Sequence, residues 1–186
     1  MIRTVLLAGA MMLPALASAD TLAGAGGRYT VDPSSRIRFT VGQVGGGGIS
    51  GSFGQFSGVF DLDAKSVSRS KVQFTLKPAS VNAGQTRVTD FLRSSAVFDV
   101  RNHSTVTFRS TRVAQSGART AQIEGLLTAR GVTRKETFTA SLIGQSGRAV
   151  TFHVTGDVYR SPYGMGVGTP IYSNVVRFDM TLQGRK

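Results

Sequence analysis

Cysteine and tryptophan are absent from the chain, and it has only two histidines, ten acidic residues and five prolines. Without cysteine there is no disulfide, no thiolate metal site and no lipid-modified cysteine behind a leader. The two histidines, His103 and His153, fall short of the three or more ligands of an ordinary metal site, so the expected metal content is none. No serine, histidine and acid are arranged as a nucleophile with its base, and no carboxylates are paired for acid–base work, so no catalytic residue is assigned. The most apolar stretch, Val5 to Leu16, is shorter than the about 20 residues that a spanning helix needs. Like charges do not run together either, although basic residues outnumber acidic ones 22 to 10 and the formal net charge is +12. The basic residues alternate with apolar ones, as in Arg36-Ile37-Arg38-Phe39, which reads as a solvated strand face. Weak attraction to an anionic membrane surface is the contact such a charge leaves open.

What is present divides at Ala19. Arg3, the apolar run and Ala17-Ser18-Ala19 have the layout of a cleavable secretory signal over residues 1–19, with cleavage after Ala19. Losing Arg3 lowers the net charge by one, to +11. Export makes nucleic acid a poor partner. Residues 20–28, rich in Gly and Ala, read as a flexible N-terminus, and residues 29–186 as one domain. In that domain apolar residues take every second place, as half-buried strands require. Ile37, Phe39 and Val41 form one such face; so do Val72, Phe74 and Leu76, and Val176, Phe178, Met180 and Leu182. After Pro78 the apolar places shift from even to odd, which predicts a bulge or bend there. Only Val88, Phe91, Leu92 and Ser95 follow helical spacing. The pattern is an all-β chain of about eight antiparallel strands with one short helix inserted around residues 85–95, and such a sheet avoids bare edges by closing into a barrel. Its interior is either packed solid or hollow enough for one small ligand. Gly46-x-Gly48-x-x-Gly51 matches a dinucleotide fingerprint in letters only, because a strand pattern follows it where a helix is required.

Several blocks resemble the YceI family. Gly125-Leu126-Leu127-Thr128-Ala129-Arg130-Gly131-Val132-Thr133 is similar to its G-x-L-T-x-x-G-V-T signature, and Arg160-Ser161-Pro162-Tyr163-Gly164-Met165 to its R-S-x-[FY]-G-M run. Ile49-x-Gly51-x-Phe53-x-x-Phe56-x-Gly58 forms a third block. Asp90-x-Leu92-Arg93-Ser94, Val97-Phe98-Asp99-Val100 and Phe108-Arg109-Ser110-Thr111 form a fourth. The blocks run in order from about Tyr29 to Leu182. The resemblance implies an extended lipocalin-like barrel with a helical insertion, periplasmic location, no required cofactor, and a polyisoprenoid, isoprenoid quinone or related long amphiphile bound in the lumen. Five positions depart from the family pattern: Gln43 and Phe91 where it has His, Thr89 where it has Arg, and His103-Ser104 where it has Tyr-Pro.

On this reading the expected lumen lining is Phe39, Phe53, Phe74, Phe91, Leu92, Phe98, Phe108, Leu127, Phe152, Met165, Phe178 and Met180, with Arg93 and Arg160 as head-group contacts. The protein would be a binding or carrier protein rather than an enzyme, with a homodimer left open. Two other classes remain: an outer-membrane barrel, and an enzyme on the same scaffold. The polar alternate face of the last strand (Arg177, Asp179, Thr181, Gln183) speaks against a lipid-facing wall.

Overall fold

The computed structural model describes residues 21–186; the expected signal over residues 1–19 lies outside the described residues. Side-chain alternation builds the strands. In β2 (Arg36–Gln43), Ile37, Phe39 and Val41 are buried while Arg36, Arg38 and Thr40 are exposed. The other elements are β1 (Gly27–Val31), β3 (Gly48–Phe53), β4 (Phe56–Leu62), β5 (Lys71–Leu76), β6 (Val81–Asn82), α1 (Thr86–Arg93), β7 (Val106–Gln115), β8 (Thr120–Ala129), β9 (Val132–Ser146), β10 (Ala149–Tyr159) and β11 (Tyr172–Arg185).

Eight of these strands pair antiparallel in the order β1-β4-β5-β7-β8-β9-β10-β11, and β11 returns to β1 through Thr30 opposite Arg185 and Val31 opposite Gly184. The barrel is therefore closed. β2 pairs with β11 from Thr181 to Val176, and β3 and β6 follow it outward. Two extra residues sharpen the curvature. Thr111 in β7 is skipped between Ser110 opposite Gly125 and Arg112 opposite Glu124; Ile143 in β9 is skipped between Gly144 opposite Thr151 and Leu142 opposite Phe152. Bulges of this kind increase twist, which closure needs.

Of the bulge or bend expected at Pro78, where the apolar phase shifts, the chain makes a bend. Pro78–Ser80 form a single 3-10 turn between β5 and β6. Proline supplies the fixed φ and needs no partner for a missing N–H at the first position of such a turn. The helix falls inside its expected range.

The two ends of the barrel differ. At one end the chain before β1 packs, contrary to the flexibility expected of residues 20–28. Leu22 is 7% exposed and Ala25 fully buried, Leu22 N donates to Ala118 O at 3.1 Å, and the Tyr29 hydroxyl donates to Ala25 O at 2.9 Å. Small residues let the segment turn tightly enough to place one leucine over the apolar opening. Beside it, Asp63 holds the turn between β4 and β5. Its carboxylate accepts from Lys65 N and Ser66 N, each at 2.8 Å, and from Arg69 Nε at 2.9 Å. The Arg69 hydrogen bond first, then the backbone amides, hold its carboxyl down at about 2. A depressed carboxylate lends stability above its unfolded pKa of about 3.9 and loses it as pH falls through the folded value. An NMR acid titration is expected to show Asp63 still ionised at pH 3; a midpoint in the ordinary aspartate range would contradict the geometry.

At the other end, α1 and residues 94–105 lie across the opening. The hairpin between β8 and β9 turns through Arg130 (φ 49°) and Gly131 (φ 74°), both left-handed, as a two-residue hairpin of that twist requires. The Arg130 side chain then donates to Val97 O at 3.0 Å and Gly164 O at 2.8 Å, tying the covering segment to the loop between β10 and β11.

Candidate functional site

The inward faces of the strands do not meet. They enclose a continuous cavity of about 500 Å³, within the size range of small-molecule sites. Its wall runs from Leu22 at the closed end to Arg87, Val88 and Phe91 of α1 and Val167 and Gly168 of the β10–β11 loop at the other. Phe91 is 44% and Val167 42% exposed, and Arg87 and Gly168 are also exposed, so the mouth lies between α1 and that loop. Beyond the rim, Val44 and Ile171 are exposed side by side, Val44 N donating to Ile171 O at 3.0 Å.

All twelve residues named from the sequence as lumen lining, from Phe39 to Met180, stand on this wall. Three pairs of rings meet edge to face: Phe108 and Phe138 at 5.2 Å between centroids, Phe60 and Phe152 at 6.0 Å, Phe53 and Phe98 at 5.6 Å. The sequence reading omitted Leu22, Phe138, Tyr163 and Arg87 from the lining. Phe138 was visible in its strand's alternation. Leu22 was hidden by its glycine-rich surroundings, and Arg87 by being polar on a helix read only for its apolar stripe.

The two arginines expected at a head group do other work. Arg93 is not part of the wall; it donates to Val81 O at 3.0 Å and lies 4.0 Å from Asp90, one turn back along α1. Arg160 does reach the wall and is 7% exposed, but four of its five donors are taken by backbone carbonyls. Nε donates to Ser173 O at 2.8 Å, one terminal nitrogen to Met165 O and to Val167 O at 2.8 Å, and the other to Tyr172 O at 3.2 Å. Burial lowers its pKa, yet a guanidinium stays protonated in proteins. It organises the mouth loop around a buried cation instead of presenting that cation to a ligand. The free cation at the mouth is Arg87, for which no ion pair is found among the described residues.

Tyr163, 1% exposed, donates to Glu136 Oε1 at 2.7 Å. Burial first, and then the Glu136 carboxylate, push its pKa well above the usual phenol range, so it is a fixed donor at any physiological pH. Thr89, at one of the departing positions, is buried and accepts from Ala83 N at 3.0 Å, so it braces α1 against β6. His103 lies 3.9 Å from Asp99, and His153 3.2 Å from Asp179 on the outer wall, both away from the cavity.

A closed antiparallel barrel with an almost wholly apolar chamber that opens beside α1 defines a binding-barrel class of protein. Residues 29–184 match the YceI-like domain, and the chain belongs to that family. A UPF0312 protein of Ectopseudomonas mendocina is 35% identical over 120 residues, 63% of each chain, so the chain spans less than two thirds of that relative. Among solved structures, BcnA of Burkholderia cenocepacia superposes with a TM-score of 0.76 at 25% identity, over 82% of this chain and 98% of that one. A polyisoprenoid binding domain from Saccharophagus degradans, implicated in plant cell wall breakdown, superposes with a TM-score of 0.69 at 15% identity, over 84% and 97% of the two chains, and bears on the fold alone.

Proposed function

We propose that the protein is a periplasmic carrier that shields a long apolar amphiphile, a polyisoprenoid or isoprenoid quinone, in its lumen and makes no bonds itself. The observation that carries this reading is the continuous 500 Å³ apolar chamber that opens between α1 and the β10–β11 loop. Burial is worth about 0.8 kcal/mol for each CH₂-sized group, hence about 4 kcal/mol for a five-carbon unit. Association costs about 4–15 kcal/mol, so one unit gains nothing and a chain of several binds. The wall holds no carboxylate and no histidine among the described residues, which supports binding over acid–base chemistry. A polar head would stay at the mouth beside Arg87. Exposed Phe91, Val167, Val44 and Ile171 around that mouth, on a basic chain, suit brief contact with an anionic membrane surface during loading. The name of the Saccharophagus domain agrees with the ligand class. The outer wall carries the pairs Arg112–Glu124 at 2.9 Å and Arg38–Asp179 at 3.8 Å, chemistry that favours water outside the barrel over lipid.

The test is the content of the purified protein. Native mass spectrometry is expected to show a long-chain lipid bound to the wild type, and Phe91→Asp is expected to lower the loaded fraction at least tenfold. Phe91 is half exposed, so its replacement should leave the melting temperature nearly unchanged. Equal loading of the two proteins, or a wild type that takes up no polyprenol from vesicles, would remove the proposal.

A further inference from the structure

Across nine strands one inward-facing position is either phenylalanine or glycine, in matched register except at β8, where Gly125 lies diagonally between Phe108 (opposite Leu127) and Phe138 (opposite Ile123). Following neighbours round the wall, Gly58 of β4 faces Phe74 of β5, which faces Phe108 of β7. Gly125 of β8 comes next, under the Phe108 ring, then Phe138 of β9 and Gly156 of β10, which faces Phe178 of β11. Phe178 faces Phe39 of β2, and Phe39 faces Gly51 of β3. Each glycine leaves a bare patch of wall, and the ring from a neighbouring strand lies down on it. A methyl at Gly51 would sit 2.6 Å from Phe39 Cζ, one at Gly125 2.4 Å from Phe108 Cζ, and one at Gly156 2.4 Å from Phe138 Cδ1. The rings are thereby pressed along the wall and kept out of the void. Phe138 shows the effect most cleanly, seated between Phe108 at 5.2 Å and Phe178 at 6.3 Å. The band crosses the middle of the cavity: on β10, Val158 lines it on the mouth side of Gly156, and Val154 and Phe152 on the closed side.

We propose that this phenylalanine–glycine band sets the bore of the lumen, and that Gly156, by seating the Phe138 ring, selects slender hydrocarbon chains that thread past it over fused-ring lipids that do not. The inference rests on the chain-binding reading above and adds which residue limits the ligand's girth. Gly156 is the position to test, because the atoms nearest a methyl there all belong to the Phe138 ring, whereas at Gly125 the methyl would also lie 2.5 Å from Arg109 O. In Gly156→Ala the ring must swing into the void while the backbone keeps its place.

The experiment measures binding of all-trans geranylgeraniol, hexadecanol and cholesterol by native mass spectrometry, with circular dichroism as the check on folding. Wild type is expected to take both chains and reject the sterol. Gly156→Ala should weaken both chains at least tenfold, and adding Phe138→Leu should restore them. Phe138→Ala, which clears the band without adding any atom, should admit cholesterol, and it serves as the test should Gly156→Ala not fold. Chains bound equally by wild type and Gly156→Ala, or a sterol still refused by Phe138→Ala, would overturn the band and leave the isoprenoid reading intact. Hexadecanol bound and lost in Gly156→Ala, with geranylgeraniol refused throughout, would support the band and remove the isoprenoid reading. A wild type that takes neither chain would overturn both.

Discussion

Replacing Arg160 with alanine is expected to lower stability by about 3–5 kcal/mol, a fall of about 10 °C in melting temperature for a domain of this size. Four carbonyls from Met165, Val167, Tyr172 and Ser173 converge on one guanidinium. Each buried acceptor left without a donor costs about 1–3 kcal/mol, and water can recover only those nearest the exposed Val167. The informative comparison is Arg160→Lys. A charge-only role would be rescued by lysine. A planar fork that bonds four separate carbonyls is not, because an ammonium has three donors on one atom and cannot span them. Both variants should therefore unfold early in urea, and both should loosen the mouth loop, seen as faster amide exchange from Met165 to Tyr172. A lysine variant within 2 °C of wild type, on the scale that makes about 1 kcal/mol worth 2–4 °C, would show that the carbonyls do not need the fork.

That arginine also marks where the sequence stopped being readable. Strand alternation is a local property, so the eight strand members of the inward set, from Phe39 to Met180, could be named from single strands; they stand on the cavity wall together with Phe91, Leu92, Phe98 and Met165 from the helix and loops. Arg160 lies in an irregular loop, where no period says which way a side chain points. The family resemblance offered it as a head-group contact, and the converging carbonyls that bury it come from residues up to Ser173. Arg93 was misplaced for a related reason: the helix stripe gives its face, but β6, only two residues long, supplies the carbonyl that captures it. The band of rings and glycines is a third kind of case. Gly51, Gly125 and Gly156 all sit in apolar stripes, where a glycine normally weakens a strand. Their role depends on which ring of the neighbouring strand lies over them, and that is fixed by the register between two strands rather than by either strand's own pattern. The Thr111 and Ile143 bulges reset that register, and nothing in either strand's own pattern announces them. Hollow and solid interiors share the same alternation; the difference lies in where the wall lacks side chains.

Closure of the barrel supports the second large effect, at Tyr29. The seam between β1 and β11 has only two matched positions, Thr30 with Arg185 and Val31 with Gly184. Beyond them the chain adds Asp32 N to Gln183 O at 2.7 Å, Gln183 N to Ser35 Oγ at 2.9 Å, Ser34 Oγ to Gln183 Oε1 at 3.0 Å and an Arg185–Asp32 ion pair, the last two through the exposed side chains of Ser34 and Arg185. So few bonds leave the seam dependent on what packs behind it. Tyr29 is that support. It is 1% exposed, faces Phe60 across β4, lies against the bare backbone of Gly184, and is capped by the Lys186 ammonium 4.9 Å from its ring centre. Its hydroxyl donates to Ala25 O at 2.9 Å, one of the bonds that hold the 22–25 turn alongside Leu22 N to Ala118 O and Gln145 Nε2 to Gly24 O. Tyr29→Phe removes that hydrogen bond and should cost about 1 kcal/mol, with faster exchange confined to residues 22–25. Tyr29→Ala removes the ring as well, which costs about 3–5 kcal/mol for a large buried aromatic, and no neighbouring strand can close the space without parting the seam. In hydrogen exchange the alanine variant should lose protection in β1 and in residues 182–185 together, while β7 to β9 on the opposite wall stay protected. An open seam exposes the closed end of the lumen to water, so the same variant should release bound lipid although Tyr29 does not line the cavity. Uniform loss of protection over all strands would instead mean that the barrel unfolds as one unit and the seam has no separate weakness.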